Sequence, residues 1–191
     1  RPLRALARGL HQCIAPLLAG RLDQIEKITI ETQEAGVRII DKTGPLANPA
    51  DRYHCIQYMV AIPLIHGRLT AADYEDAIAA DPRVDALRDR MEVRENPQFT
   101  KDYFDPDKRW IGNAVQVTFK DGSQTERVAI DFPIGHRERR AEGIPVLVAK
   151  FEDALAGALS RRRVEQVRGL IGDVMRFEAT PIHEFMDLFA V

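Results

Sequence analysis

Residues 41–76 read DKTGPLANPADRYHCIQYMVAIPLIHGRLTAADYED, and a turn rich in proline and glycine leads there into an apolar helix. Asn48 can accept hydrogen bonds from the free N–H groups at the start of that helix, and Pro49 needs no donor at the first helical position. We expect this helix to form the centre of the core, with a kink or an early end at Pro63. Its apolar residues recur every three or four positions, as on one buried face: Cys55, Ile56, Met59, Val60 and Leu64.

Two further helix starts follow the central helix. Thr70 and Asp73 have the spacing of a capping pair, which predicts a helix over residues 71–80. Asp81-Pro82 combines a capping side chain with proline at the first helical position, which predicts a helix over residues 83–89.

Alternating apolar and polar residues predict strands on both sides of this region. Residues 24–32 alternate as in a half-buried strand, with Ile28 and Ile30 on the inner face and Lys27, Thr29 and Glu31 on the outer face. Residues 37–40 are expected to continue or pair with that strand, so that Arg38 points away from the apolar face. Residues 91–94 are expected to be extended, whereas 96–107 are polar, aromatic and proline-containing and are expected to form a packed loop.

The clearest strand signal is a hairpin over residues 112–132. Asp121-Gly122 is favoured in two-residue turns, and such a turn would place Val115 opposite Val128. Helices are predicted over residues 3–19, 145–159, 161–177 behind a Ser160 cap and 181–189 behind a Thr180 cap. Strands joined by a hairpin and mixed with helices predict an α+β fold with an antiparallel sheet packed by helices.

The composition excludes some classes of partner. A net charge of −2 and a pI near 6.2 give no reason to expect binding to nucleic acid or to an anionic membrane surface. No run of about 18 apolar residues is present to span a bilayer. Cys13 and Cys55 belong to no CxxC pair and are interpreted as reduced core residues of a cytoplasmic protein. The sequence also lacks HExxH and GxSxG motifs, so no metal or serine-nucleophile site is predicted.

Three blocks of the sequence resemble the C-terminal part of the MmgE/PrpD family. The blocks are IIDKTGPL at 39–46, NPADRYHCIQYMVAIPLIHGRLTAADYEDAIAADPRVDALRDRMEV at 48–93 and DFPIGHRERRAEGIPVLVAKF at 131–151. The resemblance runs from about Asp23 to the end and rests on long blocks in a fixed order. Residues 1–12, RPLRALARGLHQ, do not reproduce the lysine and the Phe-Pro-Ala segment that family members carry there.

The resemblance implies a domain organisation. Residues 1–21 would be a poorly matching N-terminal helix, 22–143 an α+β lid domain, and 144–191 a helical segment that returns to a large all-helical domain absent from this chain. Without that domain, apolar helix faces are expected to be exposed or to bury against another copy. These faces carry Phe151, Leu155 and Leu159, and Val174, Phe177, Phe185 and Phe189.

The resemblance also implies an activity. Family members of this kind dehydrate 2-methylcitrate to 2-methyl-cis-aconitate in propionate catabolism, without a metal or other cofactor. The implied substrate is a small tricarboxylate and the implied assembly is a homodimer, with acid and base groups mainly outside this chain. Two alternatives remain open: a non-catalytic α+β module for carboxylate binding or assembly, and a related family activity such as citrate dehydration, cis-aconitate decarboxylation or imino-diacid epimerisation.

Four residues are candidates for contact with substrate. His136 and Arg137 lie in a cationic loop between a predicted strand and a predicted helix, where the resemblance places a Gly-His block, and guanidinium matches a carboxylate geometrically. The same charges could instead form a solvated loop. His54 lies beside the apolar stripe and could be a hydrogen-bonded structural residue instead. Arg38 lies on a segment that the resemblance places near the cleft.

Overall fold

The computed structural model describes Leu18 and residues 20–190, so the helix predicted over 3–19 lies outside the described residues except for Leu18. The chain divides into two compact units, Arg1–Arg140 and Ala141–Val191. The first unit contains the sheet and its core, and the second consists of helices.

A four-stranded mixed sheet organises the first unit. Its strands are β1 (Ile25–Thr32), β2 (Met91–Glu95), β3 (Asn113–Phe119) and β4 (Val128–Ile130), in the order β2-β1-β3-β4. Strand β1 pairs in parallel with β2, whereas the other two pairs are antiparallel. Ile28 and Ile30 of β1 are fully buried, as their alternation predicts. Ile25 is buried as well, beyond a register irregularity between Ile25 and Lys27. The α+β class is confirmed, with a sheet that is mostly antiparallel.

The hairpin between β3 and β4 has the predicted register at its base and a different turn at its tip. Val115 pairs with Val128 as predicted. Near the tip Thr118 pairs with Gln124, so the loop has three residues that end at Gly122, with φ of +80°. A glycine in the left-handed region is typical of three-residue hairpin loops, and the predicted two-residue turn is wrong. The Thr125 hydroxyl accepts from Val117 N where the register shifts.

Besides the sheet, the described residues form helices and short 3-10 turns. The helices are α1 (Glu34–Ile40), α2 (Pro49–Tyr53), α3 (Ile56–His66), α4 (Asp76–Ala79), α5 (Pro82–Arg88), α6 (Pro97–Phe104), α7 (Arg140–Ala158), α8 (Arg161–Ile171), α9 (Val174–Ala179) and α10 (Ile182–Asp187). The 3-10 turns are Leu22–Gln24, Ala72–Tyr74 and Arg137–Arg139.

The predicted central helix consists of two helices, α2 and α3. The Asn48 side chain accepts from Asp51 N at 3.0 Å at the start of α2, as predicted. Cys55 then takes an extended conformation and begins α3, so it lies at a break and not within one continuous face. Pro63 lies inside α3 without ending it, and the helix ends at Gly67, whose φ is +69°.

Two segments predicted to be strand or loop are helices. Residues 37–40 belong to α1, because both edges of β1 are already paired with β2 and β3 and leave no free edge. Residues 97–104 form α6, in which Asn96 caps the first turn by accepting from Gln98 N and Phe99 N. The helix over residues 97–104 could have been predicted from the sequence, since asparagine followed by proline is typical of a helix start.

The predicted helix over 71–80 is a 3-10 turn followed by the short helix α4. The expected contact between Thr70 and Asp73 is present, because Thr70 N donates to Asp73 Oδ2 at 2.7 Å. The Asp73 side chain is fully buried. Its carboxylate therefore holds the turn in place and does not start a long helix.

The second unit contains most of α7 together with α8, α9 and α10. Helix α7 begins before the predicted start at Pro145, whereas the helices after it are shorter than predicted. Ser160 caps α8 as expected, but α8 ends at Ile171 and Asp173 caps a separate helix, α9. Thr180 does not cap α10, and its hydroxyl donates to Arg176 O instead. No described helix is long and apolar enough to cross a membrane.

The apolar side chains that were expected to be exposed differ in their solvent exposure. Phe151, Val174 and Phe177 are exposed, as predicted. Leu155 is buried, so the prediction is wrong for that residue. Phe185 is partly buried and packs edge-to-face on Phe177 and Phe189.

The start of α5 provides a pH-dependent contribution to stability. The Asp81 carboxylate accepts from Arg83 N and from the Arg83 guanidinium, and these hydrogen bonds lower its pKa from 3.8 to about 2. Because the folded pKa lies below the unfolded value, the stabilisation is present above about pH 4 and is lost as pH falls through about 2.

We expect Asp81→Ala to lower the free energy of unfolding by about 1 kcal/mol at neutral pH, because α5 loses its cap. Urea unfolding at a series of pH values measures the difference, which should shrink below about pH 4. Asp81→Asn is the control, because asparagine keeps the cap but cannot titrate. A difference between wild type and Asp81→Ala that stays constant down to pH 2 would contradict this account.

Candidate functional site

His136 is held on both sides of its ring. Its Nδ1 accepts from Glu138 N at 3.3 Å, and its Nε2 lies 3.1 Å from the carbonyl oxygen of Lys108. Since a carbonyl only accepts, the proton of the neutral imidazole belongs on Nε2. The ring also stacks on Phe132, with centroids 5.3 Å apart. His136 therefore fastens its loop to the segment before β3.

Lys108 links the His136 loop to a buried carboxylate. Its Nζ donates to Asp102 Oδ1 at 2.6 Å and lies 4.7 Å from the centre of the Trp110 ring. The hydrogen bond to Lys108 lowers the pKa of Asp102 and raises that of Lys108. Trp110 in turn packs on Phe132, so the loop rests on a closed set of polar and aromatic contacts.

Arg137 and Arg38 present their guanidinium groups to solvent. The Arg137 side chain is half exposed and its Nε lies 3.7 Å from Glu138. Arg38 lies on α1, where its side chain is 76% exposed and pairs with Glu34 one helical turn earlier. Its predicted position on a strand is wrong. Both ion pairs are at the surface and hold the guanidinium groups only weakly.

His54 lies at the C-terminal end of α2, directly before the break that precedes α3. Its Nδ1 is 2.9 Å from the carbonyl oxygen of Ala50. That contact places the proton on Nδ1 of the neutral ring and leaves Nε2 as an acceptor. The residue is exposed, and Tyr53 packs edge-on against its ring.

The four predicted residues do not form one cluster by direct contact. They lie on three separate segments, and no hydrogen bond or ion pair joins any two of them. Arg38 and Arg137 are exposed cations. His54 has one ring nitrogen left as an acceptor, whereas both ring nitrogens of His136 are hydrogen-bonded.

A pocket of about 200 Å³ lies elsewhere in the first unit, between α2, α3, α4 and α5. Its walls are Leu46, Arg52, Tyr58, Asp76, Ala79, Ala80 and Asp85. None of these residues was a candidate from the sequence.

Arg52 is the buried cation of this pocket. Its side chain is 7% exposed, and its Nη1 donates to Tyr74 O at 2.8 Å and pairs with Asp76 Oδ1 at 2.7 Å. Its Nε is buried without an acceptor. A signal was present in the sequence, because Arg52 precedes Ile56 and Met59 by four and seven residues and shares their apolar spacing.

Tyr58 is an almost fully buried residue of the pocket wall. It is 1% exposed, and its hydroxyl donates to Asp73 O at 2.6 Å. Burial raises the pKa of Tyr58 to about 12. The hydroxyl therefore remains a hydrogen-bond donor at neutral pH and is not a base.

Among the described residues, no group of three histidine, cysteine, aspartate or glutamate side chains is arranged to hold a metal ion. Cys55 is a free, buried thiol whose Sγ lies 3.4 Å from the carbonyl oxygen of Lys42 and 3.3 Å from Gln57 Oε1, so its one proton can go to either acceptor. The thiol ties the break before α3 to the segment that follows α1.

Comparison with known families supplies the classification. The model of the MmgE/PrpD C-terminal domain matches residues 9–171. The chain belongs to the MmgE/PrpD family. This match confirms the resemblance of the three sequence blocks and extends it upstream of Asp23.

Several curated proteins are similar in sequence to this chain. A 2-methylcitrate dehydratase of Cupriavidus necator is 54% identical over 186 residues, which is 97% of this chain and 38% of the relative. The 2-methylcitrate dehydratases of Salmonella typhimurium and Escherichia coli are each 54% identical over 167 residues, which is 87% of this chain and 35% of each relative. The chain thus spans little more than a third of the length of these family members.

Proposed function

We propose that this chain is the C-terminal part of a 2-methylcitrate dehydratase that converts 2-methylcitrate to 2-methyl-cis-aconitate in propionate catabolism. The observation that carries the proposal is the 54% identity to the Cupriavidus necator enzyme over 97% of the chain. Citrate dehydration, cis-aconitate decarboxylation and imino-diacid epimerisation are the competing activities within the family.

Removal of water from a citrate-like acid needs three kinds of group. A base takes the proton next to a carboxylate, an acid assists the departing hydroxyl, and cations hold the carboxylates. We assign the main acid and base groups to an N-terminal helical domain outside this chain and propose a route that needs no metal ion. The greater length of the relatives supports a further domain of that kind.

The residues of this chain contribute mainly to substrate contact in this proposal. Arg137 and Arg38 offer exposed guanidinium groups, which match carboxylates in a bidentate manner. His54 offers an exposed ring whose Nε2 is an acceptor in the neutral form. His136 contributes by fixing the loop that carries Arg137, because both of its ring nitrogens are already bonded.

We further propose a lid domain at residues 22–143 and a returning helical segment at 144–191. The division of the chain into Arg1–Arg140 and Ala141–Val191 supports a boundary in this region. We also propose a cytoplasmic homodimer. The free buried thiol of Cys55 supports a reducing compartment, and the exposed apolar side chains of α7 support an association surface.

The test is a dehydration assay on the full-length gene product, with 2-methylcitrate, citrate and cis-aconitate compared side by side. We expect 2-methylcitrate to have the highest kcat/KM and a chelator to leave the rate unchanged. The 191-residue chain alone should show no turnover, because the proposal places the main acid and base groups outside it. Preference for another substrate, or loss of activity on chelation, would contradict the corresponding part of the proposal. Absence of all activity in the full-length product would favour a non-catalytic binding module.

A further inference from the structure

His54 is an exposed histidine whose ring is already fixed in one orientation. Its Nδ1 lies 2.9 Å from the carbonyl oxygen of Ala50, so the neutral ring carries its proton on Nδ1 and has a lone pair on Nε2. Within the part of the chain that the structure describes, no hydrogen bond occupies Nε2. Nδ1 donates to Ala50 O in both the neutral and the charged form of the ring. His54 can therefore gain or lose a proton at Nε2 without moving.

The segment that carries Lys42 is attached to the same break between α2 and α3. Lys42 N donates to Gln57 Oε1 at 3.4 Å, and Sγ of Cys55 lies 3.4 Å from Lys42 O. Cys55 directly follows His54 in the chain and precedes the first residue of α3. These contacts hold the backbone of Lys42 at a constant position relative to His54.

Asp51 places the Lys42 ammonium group on the side of α2 that carries His54. Nζ of Lys42 lies 3.2 Å from Oδ1 of Asp51, and Asn48 Nδ2 donates to Oδ2 of the same carboxylate at 3.0 Å. Asp51 precedes His54 by three residues, a spacing that brings side chains to the same side of a helix. The Lys42 and Asp51 side chains are 37% and 35% exposed, so their ion pair is weak and leaves the ammonium group accessible.

We propose that His54 protonates the departing hydroxyl group during dehydration, while Lys42 holds a carboxylate of the substrate. This inference rests on the proposed function and refines it, since the base stays in the N-terminal domain and the acid comes from this chain. The base takes the proton from the carbon next to a carboxylate, the electron pair of that C–H bond forms the C=C bond, and the C–O bond breaks. The hydroxyl group leaves as water with the Nε2 proton of the charged His54 ring. Solvent then returns a proton to Nε2 and takes one from the base.

The experiment is a steady-state assay of the full-length gene product with 2-methylcitrate at a series of pH values. His54→Asn should lower kcat by about 100-fold or more, because asparagine keeps a donor for Ala50 O but has no proton to transfer. The wild-type rate should fall on the alkaline side as His54 loses its proton, and this fall should be absent from His54→Asn. Lys42→Met should instead raise KM by about tenfold with a smaller change in kcat, because a carboxylate contact is lost.

Matched controls are His183→Asn on α10 and Lys27→Met on β1, whose side chains are exposed at other places in the chain. Both should leave kcat, KM and the pH profile unchanged. If the wild type converts 2-methylcitrate and His54→Asn keeps its kcat and pH profile, the inference fails while the proposed function stands. A wild-type enzyme without dehydratase activity would overturn both. If His54→Asn does not fold, as judged by urea unfolding, the effect of Lys42→Met on KM and kcat decides the question.

Discussion

Ile30→Ala is expected to lower the free energy of unfolding by about 2–5 kcal/mol, which is the usual cost of removing a buried isoleucine side chain. Ile30 is fully buried on β1 and pairs with Val93 on one side and with Val115 on the other. Because neighbouring strands flank it on both edges, the surrounding structure cannot collapse into the space that the substitution leaves. The loss should therefore lie in the upper half of that range.

Urea unfolding followed by the fluorescence of Trp110, the only tryptophan of the chain, measures this loss in the unit that contains the sheet. Ile39→Ala is the matched control, because Ile39 is 62% exposed on helix α1. It should change stability by less than about 0.5 kcal/mol. Equal losses in the two variants would show that Ile30 does not lie in the core.

Gly112→Ala is expected to lower the free energy of unfolding by about 1–3 kcal/mol through overpacking. A Cβ atom at this position would lie 2.4 Å from Cδ1 of Phe99, and Phe99 is itself 6% exposed. Because the Phe99 ring is buried, it has little room to move away from the added methyl group. The backbone of Gly112 has no positive φ, and the expected loss is therefore steric.

The control for Gly112→Ala is Gly135→Ala, since no atom lies within 4 Å of the corresponding Cβ position. The same Trp110 fluorescence measurement applies, and Gly135→Ala should be neutral or slightly stabilising. A neutral Gly112→Ala variant would mean that Phe99 does not pack against this glycine. A second variant, Gly112→Ala with Phe99→Leu, should recover part of the loss because leucine is smaller than phenylalanine.

The candidate site shows which roles could be predicted from residue type alone. Histidine at a loop between strand and helix was a reasonable candidate, but the contacts of His136 use both ring nitrogens and give it a positioning role. His54 has the opposite arrangement, because one nitrogen is fixed by a carbonyl and the other is free. The residue type was the same in both cases, and only the neighbouring backbone distinguished them.

Buried arginines were the features that sequence reasoning missed. Arg52 and Arg88 each have the spacing of an apolar face, yet arginine is ordinarily assigned to the surface. Their burial depends on acceptors from distant segments, such as Tyr74 O for Arg52 and Gly44 O for Arg88. A pattern confined to one helix does not contain those acceptors.

The sequence by itself determined the features that depend on neighbouring residues in the chain. These are the alternating strand β1, the helix starts at Asn48, Asp81 and Ser160, and the family that the long blocks resemble. Capping side chains and strand alternation act over two to four residues, so local sequence carries them completely.

Only the tertiary structure decided features that depend on distant partners. Residues 37–40 are helical because the edges of β1 are occupied by β2 and β3, and the break at Cys55 is held by Lys42 O. The hairpin shifts its register near Thr125, whose hydroxyl replaces a backbone partner. In each case pairing between segments outweighs the preference of the local sequence, because buried polar groups of the backbone must be paired.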